Sequence, residues 1–180
     1  AFYRMDQKMV ADYPIIDWSV TPAVNTNIKY PMAGKTSHEV TLGIYNIKNE
    51  STTFLKIEGE KDQYLTAVTW SPDSKYIFVG VLNRGQNHLK MNQYDAATGN
   101  LVKTLFEETD SKYVEPQHPL LFFPNSTTDF IWQSQRTGYN HLFHYSLEKG
   151  LIAQITKGDW LVTDILGFNE KKKEIYYVST

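Results

Sequence analysis

The order of apolar and polar positions along the chain is that of strands. No run sets apolar residues at i, i+3, i+4 and i+7 between capping residues, the spacing an amphipathic helix needs. Short β-branched and aromatic stretches recur instead. They are Val40–Ile47, Lys75–Leu82, Leu89–Tyr94, Leu101–Phe106, Asp129–Gln133, Leu142–Tyr145 and Leu151–Thr156. Pro72-Asp73-Ser74, Thr98-Gly99-Asn100, Pro124-Asn125-Ser126 and Lys149-Gly150 place turns between them. The pattern predicts an all-β chain.

The strands also repeat. Tyr45, Tyr94 and Tyr145 each end a strand-like run, 49 and 51 residues apart. Leu55, Leu105 and Ile155 follow at intervals of 50 and 50. Trp70, Phe122 and Phe168 each precede a turn and a further strand. A period near fifty with about four short strands per unit is the signature of propeller blades. The predicted fold is roughly three and a half four-stranded blades of a β-propeller, an incomplete ring, since a full one has about 4–8. Approximate blades cover 1–60, 64–110 and 117–158, with the start of another at 160–180. The interval 10–38, with Pro14, Pro22 and Pro31, breaks the period as an insertion into the first blade. It either builds a binding surface at a propeller face or is an arm covering a sheet edge. Ala1–Asp6 and Glu174–Thr180 both read as strand, whereas natural termini are usually loose and polar. The chain is therefore expected to be a segment of a longer protein.

Composition removes classes of function. With 18 Lys+Arg against 20 Asp+Glu the formal net charge is −2, which offers no electrostatic footprint for nucleic acid or an anionic membrane. Cysteine is absent, and with it disulfides, thiolate metal sites and thiol nucleophiles. The apolar run Tyr76–Leu82 is far too short to span a bilayer. The 14% of aromatic residues fits repeated packing of rings between blades.

Candidate chemistry is sparse. A hydrolase nucleophile elbow needs glycine two residues before and after a serine, and no serine here has it. His141 and His144 look like a metal pair, but a separation of three on a strand puts them on opposite faces; no metal or cofactor is expected. Glu107-Glu108 follows the strand Leu101–Phe106 and reads as a solvated strand end. Trp70 and Trp160 read as core, and Lys171-Lys172-Lys173 as a solvated turn. Asn49-Glu50-Ser51 and Asn125-Ser126-Thr127 match a glycosylation sequon by coincidence at predicted turns.

Four pieces of the chain carry a resemblance. They are Ala1-Phe2-Tyr3-Arg4-Met5-Asp6, Tyr30-Pro31-Met32-Ala33-Gly34, Ser134-Gln135-Arg136-Thr137-Gly138-Tyr139-Asn140-His141-Leu142 and Thr156-Lys157-Gly158-Asp159-Trp160. In order and spacing they resemble the propeller of bacterial dipeptidyl peptidase IV, and they cover nearly the whole chain. The resemblance implies a parent with an eight-bladed N-terminal propeller and a C-terminal α/β-hydrolase domain bearing a Ser–Asp–His triad. Such parents release dipeptides from peptide N-termini, with Pro or Ala second. They work in the periplasm or at the cell surface, and commonly dimerise, partly through a propeller arm. This chain would lie within the propeller, shape and gate the cavity, and be inactive alone. The family's paired glutamate for the substrate ammonium lies upstream, so Glu107-Glu108 does not inherit that role. The resemblance makes Tyr139, Asn140 and Arg136 the substrate-binding candidates. Tyr139 either lines the pocket wall or is an ordinary turn aromatic. Asn140 stands where some members have arginine, and Arg136 is either a hairpin charge or a rim contact. A non-catalytic propeller that binds peptides or proteins is the alternative function.

Overall fold

The computed structural model describes residues 1–180 and contains strands only. No helix is long and apolar enough to cross a membrane. The strands are β1 (Phe2–Asp6), β2 (Asp12–Asp17), β3 (Val24–Lys29), β4 (Glu39–Asn46), β5 (Ser51–Phe54), β6 (Tyr64–Trp70), β7 (Tyr76–Leu82) and β8 (His88–Asp95). They continue with β9 (Leu101–Thr109), β10 (Leu121–Phe122), β11 (Asp129–Ser134), β12 (His141–Ser146), β13 (Gly150–Gln154), β14 (Val162–Asn169) and β15 (Glu174–Ser179). All pairings are antiparallel. They form sheets in the orders β1-β4-β5, β6-β7-β8-β9, β10-β11-β12-β13 and β14-β15, and a separate hairpin β2-β3. This is a partial β-propeller.

The continuous apolar run of β7 has a simple cause. Side chains alternate between the two faces of a strand, and both faces of β7 are covered. Ile77, Val79 and Val81 join Leu42, Ile44, Leu55 and Tyr94 in the seam with the first sheet. Phe78 and Leu82 turn the other way, to Phe130, Trp132, Phe143 and Tyr145 of the third. The third sheet repeats the arrangement, with Ile131 and Leu142 packing on Val162 of the fourth. Each central sheet is thus a slab between two apolar seams. Rings fill them: Phe130 and Tyr145 stack at 5.6 Å, Phe106 lies 4.6 Å from Tyr145, and Phe122 lies 5.5 Å from Phe78.

The turns repeat as well. Ser74, Asn125 and Lys173 each take a left-handed φ, of 59°, 59° and 57°, in the turn before β7, β11 and β15. In the first, Ser71 Oγ donates to Asp73 and accepts the Tyr76 N–H. Trp70, expected in the core, is 36% exposed instead. It ends β6 at the sheet margin, and the Phe122 ring rather than the Trp70 indole is inserted in a seam. Trp160 is partly buried, stacked on Tyr177 at 6.0 Å and edge-on to His141.

The segment that breaks the repeat leaves the first sheet between β1 and β4, which pair directly, Phe2 opposite Gly43 through Asp6 opposite Glu39. It forms the hairpin β2-β3, whose residues lie almost wholly in solvent. Trp18 at its turn is 79% exposed.

Candidate functional site

The β7–β8 turn and the β11–β12 turn emerge at the same end of their sheets as the end of β9, where His88 pairs with Thr109. The segment 110–120 crosses that end on the way to β10. Its Asp110 and Val114 N–H groups donate to Asn87 and Gln86 carbonyls of the β7–β8 turn. A cleft of about 430 Å³ opens between this segment and the β11–β12 turn, lined among others by Glu108, Asp110, Tyr113, Ser134 and Arg136. A second cleft of about 450 Å³, more apolar, lies toward the first sheet and contains Tyr3, Met5 and Tyr64.

The β11–β12 turn is held at both ends. Gly138, at φ 101°, donates its N–H to the Gln135 carbonyl and closes the turn. That φ is one that glycine tolerates and other residues rarely adopt. After the turn, the Asn140 side-chain amide donates to Gln133 Oε1 and to the Val162 carbonyl. Before it, Arg136 pairs with Glu108, donates to Tyr145 Oη at 2.6 Å and lies 4.7 Å above the Phe143 ring. Between these anchors Tyr139 is 38% exposed.

The three candidate residues are therefore adjacent but differ in environment. Tyr139 faces solvent, Asn140 is 5% exposed with its amide engaged inside the protein, and the Arg136 side chain is about one quarter exposed on the cleft wall. Burial pushes the Tyr145 phenol above its ordinary pKa, and the Arg136 guanidinium opposes that rise.

Glu107-Glu108 is not a solvated strand end. Glu107 is exposed and pairs with His88, but the Glu108 side chain is only 9% exposed. It accepts hydrogen bonds from Trp132 Nε1 at 2.6 Å and Ser134 Oγ at 3.0 Å, besides Arg136. The signal for this was period two. Phe106 points into the seam, and Glu108, two residues on, shares its face. Tyr113, 57% exposed on the cleft, was also missed, because its segment has no periodicity to read.

His141 and His144 contact different groups. His141 is buried between Thr156 Oγ1 and the Gly158 carbonyl. The Gly158 carbonyl can only accept, so His141 Nε2–H donates to it, and in the neutral ring Nδ1 then accepts from the Thr156 hydroxyl. His144 bonds Asp129 at 2.9 Å and packs against Phe123.

A family model, the dipeptidyl peptidase IV N-terminal region, matches residues 1–180. A crystal structure from Bacteroides ovatus, described as a dipeptidyl aminopeptidase IV, is 42% identical with a TM-score of 0.92, over 99% of this chain and 28% of that one. The Saccharomyces cerevisiae dipeptidyl aminopeptidase B is 27% identical over all of this chain and 24% of its own length. The rat protein named inactive dipeptidyl peptidase 10 is 24% identical over 84% of this chain and 20% of its own length. The chain thus spans about a quarter of the length of the relatives it matches.

Proposed function

The chain belongs to the dipeptidyl peptidase IV N-terminal region family, and we propose that it is the propeller segment of a serine dipeptidyl peptidase removing Xaa-Pro and Xaa-Ala dipeptides from peptide N-termini. The segment walls and gates the cavity in which peptides meet a C-terminal α/β-hydrolase domain of the same protein. Slim, unstructured peptides enter and folded ones are rejected, because threading a narrow opening costs them their structure. The setting is the periplasm or the cell surface.

The observation that carries this reading is the anchored turn. Tyr139 stands exposed between the Asn140 and Arg136 attachments, next to Gly138, which lines a polar cleft. A rigid aromatic on such a mount gives contact area at low entropy cost. Tyr139 is assigned the substrate contact, Arg136 the rim of the cleft, and Asn140 the support behind them. The hairpin β2-β3, with Trp18 in solvent, supports pairing with a second copy.

The test is hydrolysis of Gly-Pro-p-nitroanilide by the full-length protein. Release of nitroaniline that is lost when the elbow serine of the hydrolase domain is replaced is the expected result. A full-length protein without turnover that still binds peptides favours the second reading, a non-catalytic propeller. That reading is supported by the likeness to a relative named inactive.

A further inference from the structure

The structure assigns Glu108 a positioning role toward Tyr139, an inference that rests on the reading of Tyr139 as a substrate contact. Glu108 belongs to β9 in the second sheet, yet every donor to its carboxylate comes from the third. Trp132 Nε1 and Ser134 Oγ lie on β11, and Arg136 in the turn that follows. A carboxylate that is only 9% exposed is costly to bury unless it is fully hydrogen-bonded. Here three donors converge on it, one of them a guanidinium, the stronger class of partner.

These bonds reach the turn directly. Ser134 Oγ accepts from the Arg136 N–H at 3.2 Å and from Arg136 Nε at 3.0 Å, so Glu108, Ser134 and Arg136 form one closed network. The turn beyond is also touched from within the third sheet, where Arg136 donates to Tyr145 Oη at 2.6 Å and Gln154 Nε2 donates to Thr137 Oγ1 at 3.4 Å. A Cβ built at Gly138 meets nothing within 4 Å, and residues 136–139 are exposed. Its downstream end is fixed by Asn140 on Val162. Its upstream end is fixed by Arg136, which holds Tyr145 within the third sheet and Glu108 across the seam. With Glu108 gone, Ser134 and Arg136 lose their shared acceptor, the upstream end loosens, and Tyr139 must be ordered anew each time substrate binds. Glu108 touches no substrate; it pre-orders the residue that does.

The experiment uses the full-length protein with Glu108→Ala, Glu108→Gln, Tyr139→Ala and the double variants. Steady-state hydrolysis of Gly-Pro-p-nitroanilide and hydrogen exchange of amides 135–140 are both measured. Glu108→Ala is expected to raise KM about 5–10-fold with kcat within about twofold. The double variant is expected to match Tyr139→Ala alone, the mark of two residues acting through one contact. Exchange of amides 135–140 is expected to rise about tenfold while amides of β7 keep wild-type protection. Glu108→Gln, which keeps one acceptor oxygen for Trp132 and Arg136 and loses the one for Ser134, is expected to restore part of the KM. If the alanine variant fails to fold, the glutamine variant and its double carry the same comparison. Additive KM effects, or unchanged exchange at 135–140, overturn the proposal. Faster exchange at 135–140 combined with a wild-type KM for Tyr139→Ala overturns the substrate-contact reading, and with it the effect on KM, while the hold of Glu108 on the turn stands.

Discussion

Asn140 and Val162 are joined twice. The Val162 N–H donates to the Asn140 carbonyl at 2.8 Å, and the Asn140 side-chain amide donates to the Val162 carbonyl at 2.6 Å. Both residues are buried, so this reciprocal pair is a polar stitch between the third and fourth sheets.

Removing half of it has a defined cost. Asn140→Ala leaves the Val162 carbonyl and Gln133 Oε1 without their donor, and an unsatisfied buried acceptor costs about 1–3 kcal/mol. Native-state hydrogen exchange of β12 and β14 amides in the full-length protein is expected to show that loss. Wild-type protection in both strands contradicts it.

Tyr139→Ala tests the exposed side of the same turn. A wall contact by an aromatic is worth about 1–2 kcal/mol, so KM for a Gly-Pro substrate is expected to rise about 5–30-fold. The side chain packs in no apolar cluster, so stability is expected to stay within about 0.5 kcal/mol. A large drop in melting temperature with KM unchanged would mark Tyr139 as a packing residue only.

Asp129 predicts an acid limit. Hydrogen bonds from Thr128 and His144 hold its carboxyl below the usual carboxylate range. A depressed folded-state pKa stabilises above the unfolded value, near 4, and that contribution is lost as pH falls through the folded value. The stability difference between wild type and Asp129→Asn is therefore expected to shrink as pH falls below about 4. Urea midpoints measured across that range check it; a gap that widens toward acid has the wrong sign.

Gly99 tests the seam between the first two sheets. It adopts φ 72°, its carbonyl accepts the Lys56 N–H at 2.8 Å, and a Cβ there would lie 2.4 Å from the Phe54 carbonyl oxygen. Backbone must move to admit even alanine. Gly99→Ala is expected to cost about 2 kcal/mol or more, combining left-handed strain with the lost bond. Faster exchange at the Lys56 amide is the local sign; unchanged protection there would show that the seam relaxes freely.

How much of this was legible in the sequence differs between fold and site. Strand identity was legible because side-chain alternation and turn residues act over a few positions, as in Tyr76–Leu82 or Pro72-Asp73-Ser74. The repeat was legible because each sheet solves the same packing problem, which returns the buried Leu42, Met91 and Leu142 at intervals of 49 and 51; Tyr45 keeps the interval of Tyr94 and Tyr145 but is half exposed. Residues 12–29 gave no such signal: both faces of β2 and β3 meet solvent, so no alternation is imposed. Trp70 was misjudged because position in a repeat does not say whether a neighbouring sheet covers the ring.

By itself, the sequence determined the all-β class, the period near fifty, the lack of a nucleophile elbow and the turn that carries Tyr139. Only the tertiary structure decided which groups hold that turn. Glu108 and Arg136 are 28 positions apart in the chain, and Asn140 and Val162 are 22 apart. Their contacts exist because neighbouring sheets stack face to face, which local propensity does not encode. A carboxylate at a strand end is solvated or buried according to what the next sheet brings against it, and here the third sheet brings an indole, a hydroxyl and a guanidinium.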